Sequence, residues 1–345
     1  MVVDVFTIEA VLAGLAGGAL GAAIGGLPAL GLAGVLVVVG EAVDVLGAAL
    51  AEETMANPAA FAGAGLTDTV GLGPALGPHV AFAGGVAAAA YAGRHGGVDT
   101  EWPFHAAKDV TRPLGSAPDV LIAGAIFGAV GVLFTRLAAG LSLPVDPVAF
   151  AVVLSAVGHR LAFGYPLLGR LDGDVLDMSP FAEGERREGT EGGGATAGRY
   201  VVEPWQPSHY AWYQVVGLGI AVGLVAAYLG QVTGSAFLAF GVALALAVFR
   251  SLGLDRVPLV HHVALPAGIA ALALAGQPAW VAVLVGGVFG VFGAVVGELA
   301  ARTLYAHADT YLDPGFASIL VTSVVLALLA TAGVLDPAVV PYAVP

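Results

Sequence analysis

The chain has 345 residues, of which 58% are hydrophobic and 11% charged, and its mean hydropathy is +0.91. A soluble domain of this length carries about a quarter charged residues, so a soluble globule is excluded. With a net charge of −13 and no cysteine, the chain has no disulfide framework, thiol nucleophile or Cys-ligated metal, and neither a cofactor nor a nucleic-acid partner is expected.

A hydrocarbon core of about 30 Å takes about 20 apolar residues per helix. The apolar runs predict an all-α polytopic membrane bundle of ten spans near Phe6–Gly26, Leu30–Leu50, His79–Gly93, Val120–Gly140, Pro147–Phe163, Ala211–Leu229, Ser235–Leu252, His262–Gly276, Val281–Leu304 and Pro314–Val334. The first follows Asp4 with no basic leader, so it is read as a retained helix and not a signal peptide. Short third and eighth segments leave open whether they cross fully or re-enter.

If all ten cross, the odd connections gather Arg94, Lys108, Arg112, Arg160, Arg170, Arg186, Arg187, Arg199, Arg250, Arg256 and Arg302 on one face, and Arg136 alone lies on the other. Cytoplasmic loops carry the excess of Lys and Arg. The expected placement is therefore a multi-pass protein of the cell membrane with both termini outside and the long fifth connection in the cytoplasm. That connection carries Asp172, Asp174, Asp177, Glu183, Glu185, Glu188 and Glu191 among Gly and Arg. Its composition predicts a mobile acidic linker over 166–210, between membrane units at 1–165 and 211–345. Carboxylates spread over several loops are read as adaptation to high salt, which points to a halophilic archaeal source.

The two units share signatures in the same order. "HVAFAGGVAAAAYAG" from His79 and "HVALPAGIAALALAG" from His262 are identical at nine of fifteen positions. "GAIFGAVG" (Gly124–Gly131) answers "GGVFGVFG" (Gly286–Gly293), which sets Arg136 opposite Glu298. "VDPVAFAVVLSA" (Val145–Ala156) answers "LDPGFASILVTS" (Leu312–Ser323). Five crossings per unit would make the copies inverted, a plan found in secondary transporters; re-entrant short segments would make them parallel.

Candidate chemistry sits at a few positions. His79 and His262 open the two short segments beside Pro78, Pro258 and Pro266, where interrupted helices mark transporter sites and histidine suits proton coupling; packing at an interface explains them equally. Asp146-Pro147 and Asp313-Pro314 have the form of helix caps, while His307, Asp309, Thr310 and Asp313 crowd one helix end and could hold a cation or relay a proton, or equally form a hydrated loop. Glu298 interrupts an apolar run, and a carboxylate in hydrocarbon costs about 2.5 kcal/mol or more; Arg302, four residues on, offers an ion pair. Arg136 suits an anionic ligand or a snorkelling contact. Glu41, Asp44, Ser155 and His159 are weaker signals, and the Arg94–Arg112 loop fits a lipid or protein contact or plain solvation. Small-residue spacing at Gly17/Gly21/Gly25, Gly124/Gly128 and Gly286/Gly290 marks tight helix packing, which also suits a homo-oligomer. No nucleotide-binding, zinc-protease or nucleophile-elbow motif is present, and no enzyme activity is expected.

The stretch "GPHVAFAGGVAAAAYAG" (Gly77–Gly93), with the Gly-Phe-Gly pattern after it, resembles uncharacterised permease-like multi-pass membrane proteins of archaea and bacteria. The resemblance implies the topology and assigns neither activity nor residues. Three functions are expected in order: a secondary transporter of a small solute or ion in the lipid bilayer, driven by protons or sodium; a channel or passive pore; and a membrane-embedded enzyme or scaffold acting through its cytoplasmic loops.

Overall fold

The computed structural model describes residues 7–54, 65–98, 102–171, 173–187 and 198–342. Asp4, Asp172, Glu188 and Glu191 of the sequence reading lie outside the described residues. Helices follow the apolar runs: α1 Ile8–Ile24, α2 Gly26–Thr54, α3 Ala83–His95, α4 Pro118–Gly140, α5 Pro147–Ala162, α6 Ser179–Ala182, α7 Trp212–Thr233, α8 Ala236–Ser251, α9 His261–Leu272, α10 Ala279–Ala300 and α11 Pro314–Thr331. Their starts are written in the sequence. Thr7, Asp146, Ser235 and Asp313 each accept a backbone N–H three residues on, and proline stands at the first position of α4, α5 and α11.

Among the described residues, five helices are long and apolar enough to cross a membrane: Gly26–Leu50, Pro118–Gly140, Trp212–Thr233, Ala279–Tyr305 and Pro314–Thr331. Helices α1, α5, α8 and α9 are apolar but shorter. The chain thus has the helical, apolar make-up of a multi-pass membrane protein. At 16 residues, α5 and α8 rise about 24 Å.

The third and eighth segments are both interrupted or short helices. A wide π turn at Pro78–Phe82 carries His79, and α3 proper then runs only 13 residues. Helix α9 has 12 residues, starts at His261 and contains Pro266, which removes one backbone donor.

Packing repeats between the halves. Gly14 and Gly18 of α1 press on Gly124 and Gly128 of α4, as Gly219 and Gly223 of α7 press on Gly287 and Gly290 of α10. A methyl at Gly131 would overlap the carbonyl oxygen of His79, and one at Gly293 that of His262. Gly85 of α3 meets Gly26 where α2 begins, and Gly268 of α9 meets Ala236 where α8 begins.

Between the halves, counterpart meets counterpart. Along α2 and α8, Gly31 faces Val248, Gly34 faces Ala245, and Val37 faces Gly241, so the two helices run antiparallel. Helices α5 and α11 do the same: the Asp146 N–H donates to Ser323 Oγ at one end, and His159 stands 3.2 Å from Thr310 Oγ1 at the other. Phe82, Leu244, Tyr311, Phe316 and Trp205 lie in the core where these elements meet.

The odd connections assemble at one end. Leu27 N–H donates to Val110 O and Tyr200 N–H to Pro103 O, while Glu203 N–H donates to Ala306 O; Gln206 bridges Leu259. Where composition predicts an open linker, the described part of 166–210 is pressed onto this end, with Val202, Glu203 and Trp205 buried. Its few apolar residues cannot make a core alone, but the helix ends supply one.

Candidate functional site

Asp313 is the hub of a buried polar cluster. As cap of α11 it accepts the Phe316 N–H at 2.8 Å. Its Oδ1 also lies 3.1 Å from His261 Nε2, and its Oδ2 accepts the Tyr311 hydroxyl at 3.1 Å. Trp205 Nε1 donates to that same hydroxyl oxygen at 2.8 Å, so a linker residue closes the cluster from outside the bundle. His262 follows, its ring 5.6 Å from that of His261 and 5.4 Å from Trp205. Gly297 leaves the space in which the His262 ring sits.

A small cavity lies on each side. One, of about 20 Å³, is lined by His262 and Glu298 with Trp205, Gln206 and His209 of the linker. The other, of about 10 Å³, is lined by Phe82, Ser155, His159 and Asp313. One water needs about 10–15 Å³, so each space has room for about one water. Ser155 Oγ and the Nδ1 atoms of His159, His261 and His262 are buried and make no hydrogen bond among the described residues. Two grooves of about 530 and 280 Å³ along α7 are lined by apolar side chains and glycine, with nothing to orient a polar solute.

At the linker end, charges are buried in pairs. Lys108 Nζ lies 2.6 Å from Glu203, with 0% and 2% of the side chains exposed, and 4.4 Å from the Tyr305 ring centroid. Burial pushes the Lys108 amine down to about 8 despite Glu203. His105, whose backbone N–H also reaches Glu203, is pushed down to about 4 by burial. Burial alone would raise Asp309, but the Arg199 guanidinium at 2.7 Å outweighs it and holds Asp309 below the usual range. Arg160 reaches Thr310 and the carbonyls of Leu167 and Leu304. Arg302 pairs with Glu298 at 2.7 Å and binds the carbonyls of Leu176 and Tyr210. Guanidinium donors thus tie the linker to α5 and α10.

A family profile matches residues 1–344. The chain belongs to DUF7973, a family of unknown function. No curated protein and no solved structure matches it. What distinguishes this DUF7973 chain must therefore be taken from its own side chains.

The sequence-predicted residues divide by half. His262, Glu298 and Asp313 line the two cavities beside the hub. His79 is buried in the first half, its backbone against Gly131. Asp146 caps α5 through the Ala149 N–H at 2.7 Å, and Arg136 lies near the end of α4 away from the linker. His307 contacts the Val175 carbonyl at 3.1 Å, and Asp309 belongs to the Arg199 pair. Sequence reasoning missed His261, Tyr311 and Trp205. Adjacent His261-His262 at a helix start was a usable signal for the first. Nothing local marks Trp205, which reaches the hub only through tertiary packing.

Proposed function

We propose that this protein is a secondary transporter of a small solute or ion, built from two inverted five-helix units that exchange access to a central site. The observation that carries the reading is the antiparallel meeting of counterpart helices, α2 with α8 and α5 with α11. A twofold axis across the helices produces that arrangement; one along them would make counterparts parallel. Two short helices at matching positions, α3 with the π turn before it and α9 with Pro266 inside it, fit the interrupted segments that form transporter sites at mid-depth. Gathering of the odd connections at one end supports ten crossings, with the linker on the side rich in Lys and Arg, which is the cytoplasmic side.

In this conformation Trp205 and the Lys108–Glu203 pair seal the linker side of the hub. Water-sized cavities fit an occluded state better than an open pore. His262, Glu298 and Asp313 are the proposed site residues, with protons or sodium as driving ions.

Purified protein in proteoliposomes, screened against panels of small solutes by electrical recording under proton and sodium gradients, tests the proposal. Accumulation that follows a gradient and falls in His262→Ala supports it. Flux that persists without any gradient and ignores its direction would replace it with a passive pore.

A further inference from the structure

We propose that His261 is a proton-binding site, with Asp313 holding its Nε2 and its Nδ1 taking up and releasing one proton. This deepens the transporter reading and rests on it only for the use to which the proton is put.

The hydrogen bonds fix the state of the pair. Asp313 accepts from the Phe316 N–H and the Tyr311 hydroxyl, and its Oδ1 lies 3.1 Å from His261 Nε2. Tyr311 can give its hydrogen only to Asp313, because its oxygen already receives the Trp205 N–H. With Asp313 ionised, and so an acceptor only, the hydrogen between the pair sits on His261 Nε2. In the neutral ring the lone pair is then on Nδ1. That atom is buried and makes no hydrogen bond among the described residues. It is a base held in place by a carboxylate on its other nitrogen.

Protonation is a single transfer. A hydronium gives its proton to the Nδ1 lone pair, leaving water and an imidazolium whose Nε2–H still points at Asp313; release reverses this. Before uptake the pair carries one negative charge and after it none, so uptake cancels the charge that a buried site tolerates least.

Two water-sized spaces flank the pair. His261 lies between His262, which lines the cavity under Glu298, and Asp313, which lines the cavity beside Ser155 and His159. Facing titratable groups are His262 on α9, Tyr311 before α11, Tyr305 at the end of α10, His159 on α5, and Glu298 paired to Arg302 on α10. Phe82 and Phe316 are apolar walls. No fixed cation among these touches the pair, so the carboxylate is the charge that attracts the proton. The first half has no such pair, because Pro78 and Pro144 stand at the positions of His261 and Tyr311.

Isotope-labelled histidine NMR of the full chain in lipid nanodiscs tests the site. The His261 signal can be assigned by its proximity to the Phe316 ring, 5.0 Å away. Its Nδ1 is expected to gain a proton as pH falls, and Asp313→Asn to weaken that binding by about ten- to a thousandfold. A wild-type Nδ1 that stays unprotonated wherever the protein remains folded would overturn the proposal, as would a titration that Asp313→Asn leaves unchanged. The wild-type titration does not depend on any variant folding. It is also read without solute or flux, so its failure removes the proton site alone, whereas a titrating His261 in a protein lacking gradient-driven flux removes the transporter reading alone.

Discussion

Replacing Glu203 by Gln is expected to release the linker from the bundle end, by an amount that follows from the burial of its partner. Lys108 and Glu203 meet at 2.6 Å with at most 2% of either side chain exposed, and removing one partner of such a pair costs about 3–5 kcal/mol. Lys108 has a way to avoid the full penalty. Burial has already brought its amine down to about 8, and loss of the Glu203 carboxylate that holds it up lowers it further, so the amine can shed its proton near neutral pH. The net loss should therefore fall near the low end of that range, about 3 kcal/mol, which is roughly a hundredfold rise in the opened population. The chain has no cysteine, so Val202→Cys, at a position 0% exposed, supplies a single reporter. Where reclosing is fast, labelling tracks the open fraction, and maleimide labelling in inverted vesicles should accelerate by that factor. In the Lys108→Met, Glu203→Leu double variant protection should return in part, because an apolar pair of similar size replaces the buried ion pair at little cost while the His105 N–H loses its Glu203 acceptor. Unchanged labelling in Glu203→Gln, with Val202 protected as before, would refute the reasoning.

Other expectations concern separate parts of the molecule. Trp205→Ala removes a buried side chain and its hydrogen bond to Tyr311, which should cost about 3–5 kcal/mol and expose a cysteine placed at Val260 to labelling from the linker side. Gly131→Ala and Gly293→Ala should each lower the melting temperature in detergent, since either methyl overlaps a histidine carbonyl; no loss in either would contradict the close approach. Lys108 has a folded value near 8 against an ordinary 10.5, so the unfolded chain binds more protons between these values. Stability of the wild type relative to Lys108→Met should accordingly rise with pH across that window, by at most about 1.4 kcal/mol per unit. Asp146→Ala should cost only a cap, about 0.5–2 kcal/mol, measured by thermal unfolding.

Much of the fold is legible in the sequence because lipid leaves the backbone few options: apolar runs become helices, and Asp-Pro and Ser mark their starts. The shortness of α3 and α9 is legible too, from Pro78, Pro266 and the brevity of the runs. Less of the site can be read this way. Asp313 and His262 stand out by local pattern, but the Asp313 partners His261 and Tyr311 and the seal by Trp205 depend on how α9, α11 and the linker meet. The linker misleads by composition, because its burial draws on apolar surface belonging to the helix ends and on pairs such as Lys108–Glu203 that join residues far apart in sequence.

Sidedness of the two units is the most direct test of the inverted arrangement. Single cysteines at Ile8, 75% exposed at the start of α1, and at Glu183, exposed in the linker, can be labelled in intact cells and in inverted vesicles. The account predicts that Ile8→Cys reacts only from outside and Glu183→Cys only from the cytoplasm. Reaction of both from one side would mean an even number of crossings in the first unit, and the inverted arrangement would fall.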